Sequence, residues 1–185
     1  MKVPVWHPSL KKNEMEAIEA VIKEGYLGMG RNVFDFEECV SKEINIDKEL
    51  VVATHTGHSA LHTIFESFKA NSEELKLVIT PSMNNIADFQ SIINAGLELF
   101  FCDCYENTGL IDLDSIPKEV LNDAGALIVL DYASNYVNIK EAREFCNKFN
   151  LKLIYDAAHS FGSCDLERIK FADATMFSFD PIKTF

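Results

Sequence analysis

Lys183 stands in the segment Phe177-Ser178-Phe179-Asp180-Pro181-Ile182-Lys183, five residues after Ser178. A lysine just past the end of a strand can condense with a carbonyl cofactor as a Schiff base. Asp156 closes a nearly all-apolar run, Leu153-Ile154-Tyr155-Asp156. A carboxylate there is costly without a partner, and a protonated pyridine nitrogen is such a partner, because the pairing keeps the ring an electron sink. Together the two residues point to pyridoxal phosphate chemistry. Each also has a plainer reading: Asp156 as the cap of a helix over 157–160, and Lys183 as a solvated surface charge.

Other residues could complete such a site. Thr54-His55-Thr56-Gly57-His58-Ser59 links a strand to a helix, and a turn of that kind offers backbone N–H groups and the positive end of a helix dipole to an anion. Gly57 permits the tight turn, and the His58 and Ser59 amides with the Ser59 hydroxyl are the phosphate donors. The segment lacks a full P-loop or dinucleotide fingerprint, so a plain capped turn is the alternative. His159 can lie against a flat ring or rest half-buried on a backbone partner. Ser178 can hold a phosphate or satisfy its own backbone. The glycines Gly25, Gly28 and Gly30 read as a turn, and Phe34 with Phe36 as core packing.

These residues need a frame. Short apolar runs recur at 50–53, 77–80, 97–102, 126–130, 152–155 and 174–179. Helix-period stripes lie between most of them: Leu61, Ile64, Phe65 and Phe68; then Ile86, Phe89 and Ile93; then Ile139, Ala142, Phe145, Cys146 and Phe149. Upstream, Asn13 and Glu16 read as a capping box for a helix carrying Met15, Ile18, Val21 and Ile22, ended by Gly25. Phe34, Phe36, Cys39 and Val40 mark a second helix. Apolar strands alternating with amphipathic helices predict a mostly parallel sheet covered on both faces. Ligands then sit beyond the carboxyl ends of the strands, so the segments 54–59, 81–85, 131–135, 156–160 and 178–183 are expected to converge on one crevice.

The composition narrows the function classes. The chain has 185 residues, 48% of them hydrophobic and 25% charged, as in a folded globular domain. A net charge of −12 argues against nucleic acid or anionic membrane as partner. No leader and no apolar run of bilayer length is read, so the expected setting is cytoplasmic. Cys39, Cys102, Cys104, Cys146 and Cys164 are odd in number and scattered, and read as reduced thiols. They do not pair with His7, His55, His58, His62 or His159 at ligand spacing, so no metal site is expected.

In order along nearly the whole chain, the segments resemble the DegT/DnrJ family of sugar aminotransferases. Val5-Trp6-His7-Pro8-Ser9-Leu10 is similar to the family's N-terminus, and Gly25-Tyr26-Leu27-Gly28-Met29-Gly30-Arg31 followed by Phe36-Glu37-Glu38 to its next signature. Thr56-Gly57-His58-Ser59-Ala60-Leu61-His62 resembles its phosphate turn. Asp156-Ala157-Ala158-His159 resembles its Asp-Ala-Ala-Gln/His motif, and the segment ending in Lys183 its Ser-Phe-x-Pro-x-Lys motif.

The resemblance implies a three-layer α/β/α sandwich, the fold type I (aspartate aminotransferase-like) large domain of a pyridoxal phosphate-dependent transferase. It implies Lys183 as Schiff-base lysine and proton carrier, Asp156 on the pyridine nitrogen, His159 flanking the ring, and Gly57, His58, Ser59 and Ser178 around the phosphate. Asn85 stands where an aromatic ring usually stacks on the cofactor, and His58 where threonine is usual. The reaction implied moves an amino group, from glutamate, to a nucleotide-linked keto sugar in amino-sugar and surface polysaccharide (lipopolysaccharide) synthesis, in a homodimer.

Family members are much longer. Residues 1–185 are therefore expected to be the N-terminal part of the large domain: a helical segment at 1–45 and an α/β cofactor-binding core at 46–185, without the C-terminal small domain. The alternative is a truncated or split product without activity that serves as a subunit or cofactor-binding fragment. A desulfurase-like enzyme of the same fold would want an activated cysteine, and none has an evident activating context.

Overall fold

Five strands, all parallel, form one sheet in the order β2-β1-β3-β4-β5: β1 Leu77–Pro81, β2 Glu98–Cys102, β3 Ala124–Leu130, β4 Lys152–Asp156 and β5 Ala174–Met176. The helices are α1 Lys12–Glu24, α2 Arg31–Ile44, α3 Gly57–Asn71, α4 Ile86–Asn94, α5 Lys118–Asp123 and α6 Ile139–Phe149. This computed structural model describes residues 8, 10–71, 75–133, 135–162 and 165–183. The readings of Val5, Trp6, His7, Ser9 and Cys164 lie outside them. The chain divides into two compact units: the described residues up to Ala53 together with Phe179–Lys183, and Thr54–Ser178.

The larger unit holds the sheet. Side chains alternate across a strand, so each strand feeds two layers. Val78, Ala126, Ile128, Ile154 and Met176 point to one face, where Leu61 and Phe65 of α3 and Ile92 of α4 close a fully buried cluster. Leu127, Val129, Leu153 and Tyr155, also fully buried, alternate with them, and α6 packs against β3 and β4. The α6 stripe is as expected, with Ile139, Ala142 and Cys146 buried. Burial pushes the Cys102 and Cys146 thiols up to about 12, which suits inert packing residues.

In the smaller unit, α1 ends as expected: Gly25 is left-handed, with φ 79, and its N–H donates to the carbonyls of Val21 and Ile22. Glu37 of α2 is buried and accepts from the Ala53 N–H at 2.9 Å. Phe36 meets Phe179 edge-on, with ring centres 4.9 Å apart.

Four local expectations are corrected. The start of α1 is set two residues earlier than Asn13 and Glu16: the Lys11 N–H donates to Glu14 at 2.7 Å. The apolar run 50–53 is no strand. Asp47 caps a 3-10 turn at Lys48–Leu50, and the chain runs on extended with Leu50 and Val52 exposed. The α4 stripe faces outward, since Ile86 and Ile93 are exposed while Asp88, Ser91 and Ile92 are buried. Hydrogen bonds allow the polar pair inside, the Ser91 hydroxyl donating to the Asp88 carbonyl at 2.7 Å. The last strand stops at Met176, three residues short of the expected end.

Candidate active site

A parallel sheet delivers the carboxyl ends of its strands to one edge. Asp156 is the last residue of β4 and is buried at 4% exposure. It lies on the same face as Ile154, towards α3 and α4. Its Oδ1 accepts the Ala158 N–H at 2.9 Å, so the side chain caps the turn that follows, over 158–162. That is the plainer role foreseen for it, except that it caps a turn and no helix. His159 lies in this turn and is exposed.

The Gly57 turn stands at the end of β5. A Cβ on Gly57 would lie 3.2 Å from the Met176 Sδ, so glycine allows this close approach. Helix α3 begins here, and its first amides have no partner within the helix. The Thr56 Oγ1 accepts the Ser59 N–H at 3.1 Å, and the Ser59 hydroxyl lies 3.0 Å from that oxygen and 3.1 Å from the His55 Nε2. The Ser59 amide is therefore already used inside the turn, leaving the Gly57 and His58 amides as the anion donors. The His58 ring points elsewhere: its Nδ1 is 3.1 Å from the Ala87 carbonyl and its Nε2 is 3.3 Å from Asn94, both on α4. Asn85 is the N-cap of α4, its Oδ1 accepting the Ala87 N–H at 2.9 Å. Ser178, half-buried, follows β5 by two residues.

The larger unit thus brings Gly57, His58, Ser59, Asn85, Asp156, His159 and Ser178 to the carboxyl edge of the sheet. Lys183 belongs to the other unit, half-buried in a turn where its N–H donates to the Asp180 carbonyl at 2.9 Å. An open depression of about 760 Å³ lies beyond β1, β2 and β3 and is lined by Ser82, Asp103, Tyr105, Asp112, Tyr132 and Asn135 among others. Neither Asp156 nor the Gly57 turn lines it.

One residue of the site was not foreseen. Asp88 lies on the inner face of α4 and is 1% exposed. Burial first, and the Asp156 charge second, push its carboxyl up to about 8. The signal was present in the sequence: Asp88 shares a helical face with Ile92 and Ala95, both buried, at spacings of four and seven.

The DegT/DnrJ/EryC1/StrS aminotransferase family matches residues 8–185. The chain belongs to this family. DegT-family aminotransferases depend on pyridoxal phosphate. A UDP-4-amino-4,6-dideoxy-N-acetyl-beta-L-altrosamine transaminase from Campylobacter jejuni subsp. jejuni serotype O:2 is 29% identical over 182 residues, covering 96% of this chain and 47% of the relative. The solved Helicobacter pylori PseC, an aminotransferase involved in the biosynthesis of pseudoaminic acid, superposes with a TM-score of 0.85 at 25% identity, over 99% of this chain and 49% of that one. The ntda protein of Bacillus subtilis, solved with bound cofactor PMP, has a TM-score of 0.81 at 23% identity over 95% of this chain and 40% of its own, a likeness of fold. The DegT-family chain described here therefore spans about half the length of the relatives it matches.

The donor set fits pyridoxal phosphate. A buried acid at a strand end suits a ring N–H, and a helix start beside the next strand suits a phosphate.

Proposed function

We propose that this chain is the cofactor-binding part of a pyridoxal phosphate-dependent aminotransferase that moves an amino group, from glutamate, to a nucleotide-linked keto sugar in amino-sugar synthesis. The observation that carries the reading is Asp156: a buried carboxyl at the end of β4, on the face of the sheet where α3 begins beside β5. When bound, the cofactor supplies a carbonyl for covalent attachment and a ring that accepts electrons.

The chain's own residues then have separate tasks. Asp156 accepts the ring N–H and keeps that nitrogen protonated. The Gly57 and His58 amides and the Ser178 hydroxyl hold the phosphate, with the Ser59 hydroxyl near them. His159 and Asn85 flank the ring. Lys183 is the attachment point and the base that carries a proton at Nζ. The parts 1–45 and 46–185 serve as helical segment and cofactor core. Homodimerisation, a cytoplasmic setting and a place in surface polysaccharide synthesis belong to the same proposal and rest on family likeness.

Adding pyridoxal phosphate to the purified chain, reducing with borohydride and mapping the modified peptide tests the reading. A single adduct on Lys183 is expected. Scattered labelling, no labelling, or the same adduct in Lys183→Ala overturns it.

A further inference from the structure

Asp156 stands between two residues that one carboxylate oxygen holds. Tyr155 precedes it, and alternation along β4 sends its side chain to the opposite face of the sheet, with Leu127 and Val129. Ser160 lies in the turn that follows. Both side chains are fully buried, and both hydroxyls donate to Oδ2 of Asp131, that of Ser160 at 2.5 Å. Asp131 directly follows β3 and is 2% exposed. Its Oδ1 accepts the Val137 N–H at 2.9 Å and Arg168 at 3.1 Å. A cation and several neutral donors thus compensate the buried charge, which makes the carboxylate a fixed anchor. Its backbone adds a further tie, the Asp131 N–H donating to the Asp156 carbonyl at 3.4 Å.

The turn has no regular ladder to hold it, so its shape depends on such anchors. The Ala157 N–H donates to the Met176 carbonyl at 2.8 Å, and the Ser160 N–H donates to the Ala157 carbonyl at 3.0 Å. Between these points lies Ala158, whose N–H donates to the Asp156 Oδ1 at 2.9 Å. His159 comes next and is exposed. A donor N–H helps to aim the carboxylate that accepts it, so what holds the turn also helps to hold the Asp156 carboxyl.

We propose that Asp131 is a positioning residue for the cofactor ring: gripping Tyr155 and Ser160 from the face opposite Asp156, it holds the turn in which the Ala158 N–H aims the Asp156 carboxyl and His159 stands. The proposal rests on the functional reading above. Asp131 does not touch the ring; it acts through Ser160 and Ala158. A binding group keeps its orientation only when the groups behind it are locked.

Two variants loosen the grip and leave the ion pair of Asp131 with Arg168 in place. Ser160→Ala removes the hydroxyl in the turn. Tyr155→Phe removes the hydroxyl before Asp156 and keeps the aromatic ring. Arg143→Ala is the control for plain loosening of β4. It breaks the 2.6 Å ion pair with Asp173, whose carboxylate accepts the Leu153 N–H near the start of that strand. Two measurements read the turn: hydrogen exchange of the Ala158 amide in the chain without cofactor, and nitrogen NMR titration of bound pyridoxal phosphate labelled at its ring nitrogen.

Ser160→Ala is expected to exchange the Ala158 amide up to about tenfold faster than wild type, the net worth of one hydrogen bond. The pH at which the bound ring nitrogen loses its proton is expected to fall by up to about one unit, because a misaimed carboxylate stabilises the ring N–H less. Tyr155→Phe is expected to shift both readouts in the same direction. Arg143→Ala is expected to leave the ring-nitrogen midpoint at its wild-type value. An unchanged midpoint or an unchanged Ala158 exchange rate in Ser160→Ala overturns the proposal, as does an equal fall of the midpoint in Arg143→Ala. If Ser160→Ala does not fold, the same two readouts in Tyr155→Phe decide. If the wild type takes up no pyridoxal phosphate at all, the functional reading falls and the positioning role falls with it. If the wild type binds and the variants match it, only the role of Asp131 falls.

Discussion

At the scale of single residues, Asp156 caps a turn and is proposed to meet a ring N–H, and one substitution can pull the two apart. Asp156→Asn keeps an oxygen for the Ala158 N–H and so keeps the turn. It removes the charge that a ring N–H would need, and with it the charge that helps raise the Asp88 carboxyl. Pyridoxal phosphate affinity is expected to fall by about tenfold or more, the worth of a charged hydrogen bond, while the melting temperature at pH 8 stays level or rises. Equilibrium dialysis and thermal unfolding of the two proteins check this; a large drop in melting temperature would mean that the carboxylate chiefly supports the fold. Gly57 gives a second prediction. Its missing Cβ faces the Met176 Sδ, so Gly57→Val is expected to push the turn away from β5 and weaken capture of the phosphate. A titration with pyridoxal and with pyridoxal phosphate reads it out, because only the phosphorylated form should lose affinity. Asp156 and Gly57 were legible in the sequence because a lone acid after an apolar run and a glycine before a helical stripe break local patterns. Asp88 was not read, because it lies on the same helix as an apolar stripe that faces solvent.

At the scale of elements, the strands were legible because a sheet covered on both faces demands nearly continuous apolar runs. That rule carried β1, β2, β3 and β4 and failed where apolarity had another cause. Residues 50–53 follow an Asp47-capped 3-10 turn and meet α2 through the Glu37 carboxylate, so they need no sheet. What joins the 3-10 segment Leu166–Phe171 to the sheet could not be seen from spacing at all. Arg168 donates to Asp131 Oδ1 at 3.1 Å and to the Val137 carbonyl at 2.7 Å. Asp131, 2% exposed, also accepts from the Tyr155 hydroxyl, from Ser160 at 2.5 Å and from the Val137 N–H at 2.9 Å. Burial and the bond to Asp131 raise the Tyr155 hydroxyl well above its ordinary value, so it stays a donor. Arg168→Ala leaves a buried carboxylate without its cation and is expected to cost about 3 kcal/mol in urea unfolding. Arg168→Lys is expected to recover only part of this, because a lysine lacks the second nitrogen that lets Arg168 also donate, through Nε, to the Tyr155 hydroxyl at 3.3 Å. Equal stability of the alanine variant and the wild type would show that the neutral donors to Asp131 suffice.

At the scale of the whole molecule, two effects make stability depend on pH, and salt separates them. The net charge of −12 at pH 7 grows as pH rises above the isoelectric point near 4.8, and self-repulsion of the surface grows with it. The Asp88 proton acts in the same direction. Its folded-state value is about 8 against an ordinary aspartate value of 3.8, so the folded chain binds this proton more tightly than the unfolded one. The stability it contributes is fully present below about pH 4, declines as pH rises, and is gone once pH passes about 8, where both states have released the proton. Surface repulsion is screened by salt within a Debye length of about 3 Å at 1 M, whereas a buried pair is screened far less. In high salt, wild type is therefore expected to keep a fall in unfolding free energy between pH 5 and pH 8 that Asp88→Asn lacks, since asparagine has no proton to lose. Urea midpoints of the two proteins at both pH values, with and without salt, measure it. Parallel pH dependence in high salt would assign the whole effect to the surface and leave the acid pair neutral in the energetics of folding.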